Sequence, residues 1–138
     1  MSSTSTKHRG RNPWKKLIGN IKISGRMRDA HLDKDPRRID VTWEDLRDIF
    51  IDQQACCYWF GFELDPDGIF TSYNPLAISA DRIDDDRGYV KGNIVICSRM
   101  ANLGRGKCPA HEFQNICDNL KNSIITDWQT TELIGKFK

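Results

Sequence analysis

The chain has 138 residues, of which 38% are hydrophobic and 29% are charged. This length suits one domain, and the composition is typical of a globular protein rather than a disordered or fibrous one. The sequence contains no apolar run of the roughly 20 residues that a membrane span needs, no secretory signal at its polar, basic start and no internal repeat. We therefore expect a protein that is neither inserted in a membrane nor secreted.

Basic residues are concentrated in the first part of the chain. Residues 1–40 hold eleven Lys and Arg against four Asp and Glu, whereas residues 41–138 hold ten against fifteen. This asymmetry favours a polyanionic partner such as nucleic acid, although a solvated basic tail would give the same composition. Five cysteines without a secretion signal favour reduced thiols in a cytosol-like compartment.

The amino-terminal part is expected to contain an arm, a helix and a loop. Residues 1–12 are polar and basic and are expected to form a flexible arm. A proline at position 13, followed by apolar side chains at helical spacing, predicts a helix that begins there. The apolar side of that helix comprises Trp14, Leu17, Ile18 and Ile21. Residues 29–40 are polar and predict a loop.

A capped helix is the clearest local prediction. Thr42 lies three residues before Asp45, the spacing of a capping box with Asp in place of the usual Glu. Apolar side chains follow at helical spacing and predict a helix over residues 43–53. Those side chains are Trp43, Leu46, Ile49 and Phe50. The aromatic segment CYWFGFEL, residues 57–64, then indicates a strand, and DPDG at residues 65–68 indicates a turn.

Two strands and two helices are predicted in the second half. Residues 78–83 and 93–97 indicate strands, with a turn over residues 84–88 between them. Residues 98–104 have weak helical character. A last helix is predicted from Pro109 to about Ile124. Its inward side is expected to comprise Phe113, Ile116, Cys117 and Leu120.

The stretch ISADRIDDDRGYVKGNIVICSRMANLGRGK, residues 78–107, carries the most specific chemistry. Asp81 ends the first strand, Asn93 opens the second, and Asn102 lies on the following helix. This order resembles the HNH, or ββα-metal, endonuclease family, and in particular its small phage members of homing type. The resemblance implies an α+β fold with a ββα-metal unit at about residues 78–104, flanked by helices.

The resemblance also implies an activity and a domain plan. We expect a DNA endonuclease domain over residues 13–125, followed by a tail over residues 126–138. The domain is expected to hydrolyse phosphodiester bonds with Mg²⁺ or Mn²⁺. By family analogy Asp81 and Asn102 would be the metal ligands, because a hard cation takes oxygen ligands and offsets charge on the phosphate. Asn93 would hold the neighbouring catalytic side chain or the loop backbone by a hydrogen bond. Taken singly, each residue is better explained as a turn or capping residue, whereas the set in this order favours the metal site.

Arg82 departs from the family pattern, which has a histidine general base at this position. A guanidinium stays protonated and therefore cannot accept a proton from water. Three interpretations stay open. In the first, the change inactivates the enzyme. In the second, His31 or Tyr89 is the base instead, just as other His and Tyr side chains are thought to act in a restriction enzyme of the same superfamily. In the third, Arg82 binds phosphate in a domain that does not cut DNA. We expect the activity of this sequence to be reduced or absent; the alternative is an inactive DNA-binding or interaction protein that keeps the fold.

Basic side chains in two regions are expected to contact the phosphates of double-stranded DNA. Such contacts give affinity and salt dependence rather than sequence recognition, and any one of them taken singly is better explained as a plain surface charge. The expected contacts are Lys15, Lys16, Arg26 and Arg28 near the first helix, and Arg99, Arg105 and Lys107 on or after the ββα helix. We further expect a phage-encoded protein in the cytoplasm of a bacterial host, with a homodimer as one possible assembly.

Structural zinc is not expected. Many members of the family hold the ββα unit with two Cys-x-x-Cys pairs. In this chain Trp59 and Met100 occupy the second positions of those pairs, three residues after Cys56 and Cys97. Because zinc needs four good ligands and tryptophan is not one, we expect an apolar contact between Trp59 and Met100 in place of the metal.

Overall fold

The structure is a computed structural model that describes residues 10–32 and 38–123, with side chains described for residues 10–24 and 38–123. Helices and short strands follow one another in a mixed α+β arrangement. The elements in chain order are α1 Pro13–Leu32, β1 Ile39–Asp40, α2 Trp43–Asp52, a 3₁₀ helix Pro66–Phe70, β2 Ile78–Arg82, β3 Tyr89–Val90, β4 Ile94–Ser98, α3 Arg99–Arg105 and α4 Ala110–Asn122. The expected tail and the first nine residues of the expected arm lie outside the described residues.

The first helix begins where the proline predicts it. The side-chain oxygen of Asn12 accepts the backbone N–H groups of Trp14 at 2.9 Å and Lys15 at 3.2 Å, and so caps the first turn. The predicted apolar side is buried at Trp14, Leu17 and Ile21. The helix continues to Leu32, so the start of the loop predicted over residues 29–40 is helical instead.

The second helix confirms the predicted capping box. The Thr42 hydroxyl accepts the N–H of Asp45 at 3.2 Å, and the Asp45 carboxylate accepts the N–H of Thr42 at 2.9 Å. Leu46 and Phe50 are buried, and the Phe50 ring centroid lies 5.3 Å from that of Trp14. The apolar side of α2 therefore packs against α1 and closes one side of the core.

A strand–strand–helix unit forms the centre of the molecule. β2 and β4 pair in antiparallel register, with Asp81 opposite Val95. Ser98 ends β4, and its hydroxyl accepts the N–H of Ala101, which caps α3 immediately after the strand. The helix packs back on both strands. The two predicted strands and the helix between residues 98 and 104 are confirmed to within a residue or two.

The aromatic segment over residues 57–64 is not the strand that its composition indicates. It folds into a turn in which the Gly61 N–H donates to the Cys57 carbonyl at 2.8 Å. Gly61 has a φ of 88°, a conformation that glycine adopts without strain. The turn places Trp59 in the core, beneath β2 and α4.

Three further details differ from or extend the sequence expectations. The predicted turn at residues 65–68 leads into the 3₁₀ helix, and β1 pairs with β3 in a short parallel ladder that was not predicted. On α4, Phe113 and Cys117 are buried as expected. Ile116 and Leu120 are exposed, so the expectation that they face inward is wrong: the core meets a narrower stripe of this helix.

Candidate functional site

The carboxylate of Asp81 lies at the centre of the strand–strand–helix unit. Trp59 donates its indole N–H to Oδ2 at 2.9 Å, and Nη1 of Arg105 lies 2.9 Å from both carboxylate oxygens. The side chain of Asp81 is 8% exposed and that of Arg105 is 2% exposed. The two residues therefore form a buried ion pair, in which charge-assisted hydrogen bonds offset the cost of desolvation.

Arg105 directs its other donors to the backbone. Nη1 also donates to the Arg82 carbonyl, Nη2 donates to the Ile83 carbonyl at 2.9 Å, and Nε donates to the Cys108 carbonyl at 3.0 Å. The guanidinium lies over the Trp59 ring, 5.4 Å from its centroid. The expectation that Arg105 contacts DNA is wrong, because its charged group is turned inward and ties β2 to the end of α3.

Arg82, at the position of the family's general base, supports the loop that follows β2. Its Nη1 donates to the carbonyls of Asp85 at 3.1 Å and Arg87 at 3.2 Å. Its guanidinium carbon lies 5.1 Å from the centroid of the Tyr89 ring, and the residue is 7% exposed. A planar, permanently charged donor suits this role, in which it fixes two carbonyls and packs on an aromatic face.

Asn93 fastens the same loop from the start of β4. Its Oδ1 accepts the N–H of Asp84 at 2.9 Å, and its Nδ2 donates to the carbonyls of Asp84 at 3.1 Å and Gly88 at 3.0 Å. A side chain at Gly88 would collide with the carbonyl of Arg38, because the loop passes close to the backbone before β1. Asn93 therefore makes the second of the two contacts expected of it, hydrogen bonds to the loop backbone, and its part in a catalytic site stays a prediction.

Asn102, on α3, contacts the face of β2 from which the Asp81 side chain projects. The Nδ2 of Asn102 donates to Ser79 Oγ at 2.7 Å and to the Ala80 carbonyl at 3.4 Å. Ser79 and Asp81 are two residues apart, so their side chains project from the same side of the strand. Within the described part of the chain, no donor contacts the Oδ1 of Asn102. Asn102 thus contacts the two residues that precede Asp81 on β2, and both Asn102 and Asp81 line one groove.

The donors around Asp81 do not fit a divalent metal as they stand. Arg105 already neutralises the carboxylate, and a guanidinium does not lose its proton. An ion bound to that carboxylate would lie within about 5 Å of Nη1, where a dication and a guanidinium repel by about 7 kcal/mol at an effective dielectric constant of about 20. Among the side chains that the structure describes, no three of His, Cys, Asp or Glu converge on one point. The metal-ligand role of Asp81 and Asn102 stays a prediction.

An open groove of about 1050 Å³ lies beside this centre. It runs between α1, the loop after the 3₁₀ helix, β2 and α3. Three of the predicted DNA contacts, Lys16, Arg99 and Lys107, line it and are exposed. The carboxylates of Asp85 and Asp86 line it as well. The groove therefore carries cations from both α1 and α3, with acidic side chains on the loop after β2.

The remaining predicted site residues lie away from this groove or outside the described side chains. Lys15 is exposed, and its Nζ lies 5.7 Å from the centroid of the Trp43 ring. The side chains of Arg26, Arg28 and His31 fall outside the described residues, although their backbone belongs to α1. Their expected roles in DNA binding and as an alternative base stay predictions.

The side chain that packs against Trp59 is not the expected Met100. Trp59 packs edge-on against Phe113, with ring centroids 5.2 Å apart. Met100 is 51% exposed on the outer side of α3. The apolar contact that we expected around Trp59 is therefore made by α4 rather than by Met100.

Two buried cysteines, Cys57 in the aromatic turn and Cys97 in β4, face backbone donors. The Sγ of Cys57 accepts the N–H groups of Phe60 at 3.4 Å and Ser98 at 3.3 Å, so Cys57 rather than Cys56 joins the aromatic turn to β4. Burial raises the pKa of the Cys97 thiol, and the nearby Asp81 charge acts in the same direction. The expectation that the chain lacks structural zinc stays a prediction.

Trp59 and Arg105 are the site residues whose roles sequence analysis missed. Their partner, Asp81, is 22 residues from one and 24 from the other, and no short spacing encodes such a contact. One local signal was present. Arg105 follows Asn102 by three residues on a helix, and residues at this spacing share a face.

Comparison of the chain with models of protein families, with curated proteins and with solved structures gives no match. Among the helices that the structure describes, none is both long and apolar enough to cross a membrane.

Proposed function

We propose that this chain is an HNH-type protein that binds double-stranded DNA through its groove and that, as written, does not cleave it. The buried pair of Asp81 and Arg105 carries the proposal, because it occupies the carboxylate that a nuclease of this type needs for its metal. The order of strand, loop, strand and helix supports the HNH-type scaffold. So do the positions of Asn93 and Asn102 within it.

The environment of Arg82 supports the loss of cleavage. A general base must accept a proton from the attacking water, and a guanidinium has no acceptor. Arg82 is also nearly buried, and its Nη1 donates to two carbonyls of its own loop. Of the three interpretations of this residue, these contacts favour inactivation over an outward phosphate clamp.

The charges around the groove support binding of a polyanion. Lys16 extends from α1, whereas Arg99 and Lys107 lie on and just after α3, so a phosphate backbone in the groove would meet cations on both sides. Asp81 does not oppose such binding, because Arg105 neutralises its charge inside the protein. The affinity would come mainly from counterion release and would fall steeply with salt.

Fluorescence anisotropy with a labelled duplex tests the binding. We expect Lys16→Ala, Arg99→Ala and Lys107→Ala each to weaken binding roughly tenfold at about 0.1 M salt and to lower the slope of log K against log salt by about 1. Lys121→Ala removes an exposed lysine on α4, outside the groove, and should leave both quantities unchanged. Equal effects at the groove and at Lys121, or no binding at low salt, would contradict the proposal.

A plasmid nicking assay with Mg²⁺ or Mn²⁺ tests the absence of cleavage. We expect no nicking by the parent chain, and none by Arg82→His, because that change restores a base but leaves Asp81 paired with Arg105. Asp81→Ala serves as the control for contaminating nucleases. Nicking by the parent that Asp81→Ala abolishes would show that the carboxylate is available to a metal and would overturn the proposal.

A nuclease that uses another base is the second candidate. Tyr89 favours it, since its ring lines the same groove as Asp81 and lies under Arg82. If the parent chain nicks DNA, Tyr89→Phe and His31→Ala identify the base, because the substitution of the true base abolishes nicking and the other does not. Nicking that survives both substitutions would reject this candidate.

The resemblance adds expectations about origin and assembly to this proposal. It favours a phage-encoded protein of homing type in the cytoplasm of a bacterial host. A homodimer of restriction type would bind a palindromic site, whereas a homing-type protein would bind a longer asymmetric one. Sedimentation of the chain with and without DNA, together with the symmetry of its footprint, distinguishes the two.

A further inference from the structure

Three aromatic side chains line the groove, and one of them differs from the other two in its surroundings. Phe70 and Tyr89 are partly buried. The guanidinium carbon of Arg11 lies 4.4 Å from the centroid of the first ring, and that of Arg82 lies 5.1 Å from the centroid of the second. Tyr73 is 92% exposed, although it lines the same groove. The faces of the Tyr73 ring are therefore accessible to a ligand.

A hydrogen-bonded turn holds Tyr73 in this position. Its φ is 57°, in the left-handed region that residues other than glycine adopt at a cost in free energy. The next residue, Asn74, donates from Nδ2 to the Gly68 carbonyl at 3.0 Å. The Pro75 carbonyl accepts the N–H of Met100 at 2.9 Å and so joins the turn to α3. Because the turn is fixed, it presents the ring to a ligand with little further loss of conformational freedom.

The position of Tyr73 is unfavourable for stability in two respects. The left-handed backbone has a cost, and an aromatic ring left in water contributes little of the stabilisation that burial gives. Strained backbone of this kind is concentrated at active sites and ligand-binding sites. A ring that gains so little from the folded chain is expected to make its main contact with a bound molecule.

The groove also presents cations and other apolar side chains. Lys16, Arg99 and Lys107 line it and suit a phosphate backbone. Ile23, 51% exposed, and Leu103, 71% exposed, line it as well. A continuous duplex presents phosphates, sugars and base edges, whereas its base faces are covered by stacking. An unpaired base offers an accessible apolar face beside the phosphates, and so fits this combination of side chains better.

We propose that the groove binds a DNA duplex that contains an unpaired base, and that Tyr73 stacks on that base. This inference rests on the proposed function, because it specifies the form of DNA that the same groove binds. The cations give affinity for the backbone, and the ring adds a preference for a distorted site. Since stacking on an aromatic ring tolerates any base, the preference is for the unpaired position rather than for a sequence.

Fluorescence anisotropy with two duplexes, which differ only in one unpaired thymine at the centre, tests the preference. We expect the parent to bind the duplex with the unpaired base roughly tenfold more tightly than the continuous one. Tyr73→Ala should lose this difference, whereas Tyr73→Phe keeps a ring and should retain it. On each duplex the slope of log K against log salt should be the same for all three chains, because the ring is uncharged. Tyr58→Ala removes a 42% exposed tyrosine outside the groove and should bind like the parent.

Permanganate reports the stacking directly, because it oxidises the 5,6 double bond of a thymine poorly when another ring covers it. At saturating protein, the parent and Tyr73→Phe should protect the unpaired thymine, and Tyr73→Ala should leave it as reactive as in the free duplex. Thermal melts separate this role from a structural one. Tyr73→Gly relieves the strained backbone, so its Tm should not fall below that of the parent although its preference is lost.

Different results would overturn the inference and the proposed function. Equal binding of the two duplexes by the parent, with no effect of Tyr73→Ala, would overturn the inference and leave the proposed function in place. Loss of the preference in Tyr73→Phe, or a lower Tm for Tyr73→Gly, would attribute the effect to the hydroxyl or to the fold, and would also overturn the inference. Binding of the corresponding single strand as tightly as the duplex with the unpaired base would do so as well. No binding of either duplex at low salt would overturn both.

Discussion

A double-mutant cycle on Asp81 and Arg105 tests whether the buried ion pair stabilises the fold. Asp81→Asn keeps the shape of the side chain and leaves a buried guanidinium without its counter-charge. Arg105→Met leaves a buried carboxylate uncompensated and removes the donor from three backbone carbonyls. Since removal of one partner of a buried pair costs about 3–5 kcal/mol, we expect the free energy of unfolding to fall by about 3 kcal/mol for Asp81→Asn and about 4 kcal/mol for Arg105→Met.

The double variant buries no unpaired charge, and its cost has a different origin. Three carbonyls lose a hydrogen bond at about 1 kcal/mol each, and the amide at position 81 makes a weaker contact with Trp59. We therefore expect a loss of about 4 kcal/mol, well below the sum of the single effects. The corresponding coupling energy is about 3 kcal/mol, the upper end of the range for residues in direct contact.

Urea unfolding, followed by tryptophan fluorescence and circular dichroism, measures all four free energies. The slope against urea should stay constant across the cycle, so that changes in midpoint report changes in stability. The pair of Arg47 and Asp48 is the control, because its side chains are 42% and 61% exposed, and its coupling should be below about 1 kcal/mol. A coupling energy between Asp81 and Arg105 no larger than in this control would refute the reasoning.

Three further changes test other parts of the structure. Trp59→Phe removes the N–H that Asp81 accepts but keeps an aromatic ring, so urea unfolding should show a loss of about 2 kcal/mol, and no loss would contradict the hydrogen bond. The backbone N–H at the N-cap of α2 holds the pKa of Asp45 below its ordinary value of 3.8. The parent chain should therefore be more stable than Asp45→Asn, and this difference should be fully present above about pH 4 and be lost as the pH falls through the lowered pKa. Thermal melts of both chains across this pH range measure the difference. Burial raises the pKa of the Cys97 thiol, so iodoacetamide should label the half-exposed Cys108 and spare Cys97 in the native chain, as peptide mass mapping would show.

Short-range patterns account for the elements that frame the site. The capping box at Thr42 and the apolar spacing after it predict α2, because every interaction involved lies within one or two helical turns. The segments that become β2 and β4, of which only β4 is mainly apolar, are separated by a turn-forming segment, which predicts a pair of strands. The position of Asn102 on the helix after β4 also predicts that it packs back on β2, where its amide contacts Ser79 and Ala80.

The partners inside the centre could not be predicted in this way. Arg105 lies near the end of a short helix, where basic residues are usually solvated or interact with the helix dipole, so its sequence context indicates the surface. Its burial depends on the aromatic turn that brings Trp59 under β2, and aromatic composition alone indicates a strand there. Whether a charge faces inward is decided by packing between segments that are distant in the chain, and no local rule contains that information.

In the proposed function, the inward direction of two arginines limits which side chains of the strand–strand–helix unit could contact DNA. Arg82 and Arg105 direct donors to the protein, so neither supports the groove as a phosphate ligand in our proposal. The groove cations on which the proposal depends are then Lys16, Arg99 and Lys107, which would meet the backbone of a bound duplex from two sides. Hydrolysis by this family's chemistry needs a positively charged group that contacts the scissile phosphate and offsets its negative charge, as a metal ion does. A guanidinium whose donors are held by Asp81 and by backbone carbonyls does not provide one, and for this reason the proposed absence of cleavage rests on the same contacts that join β2 to the end of α3.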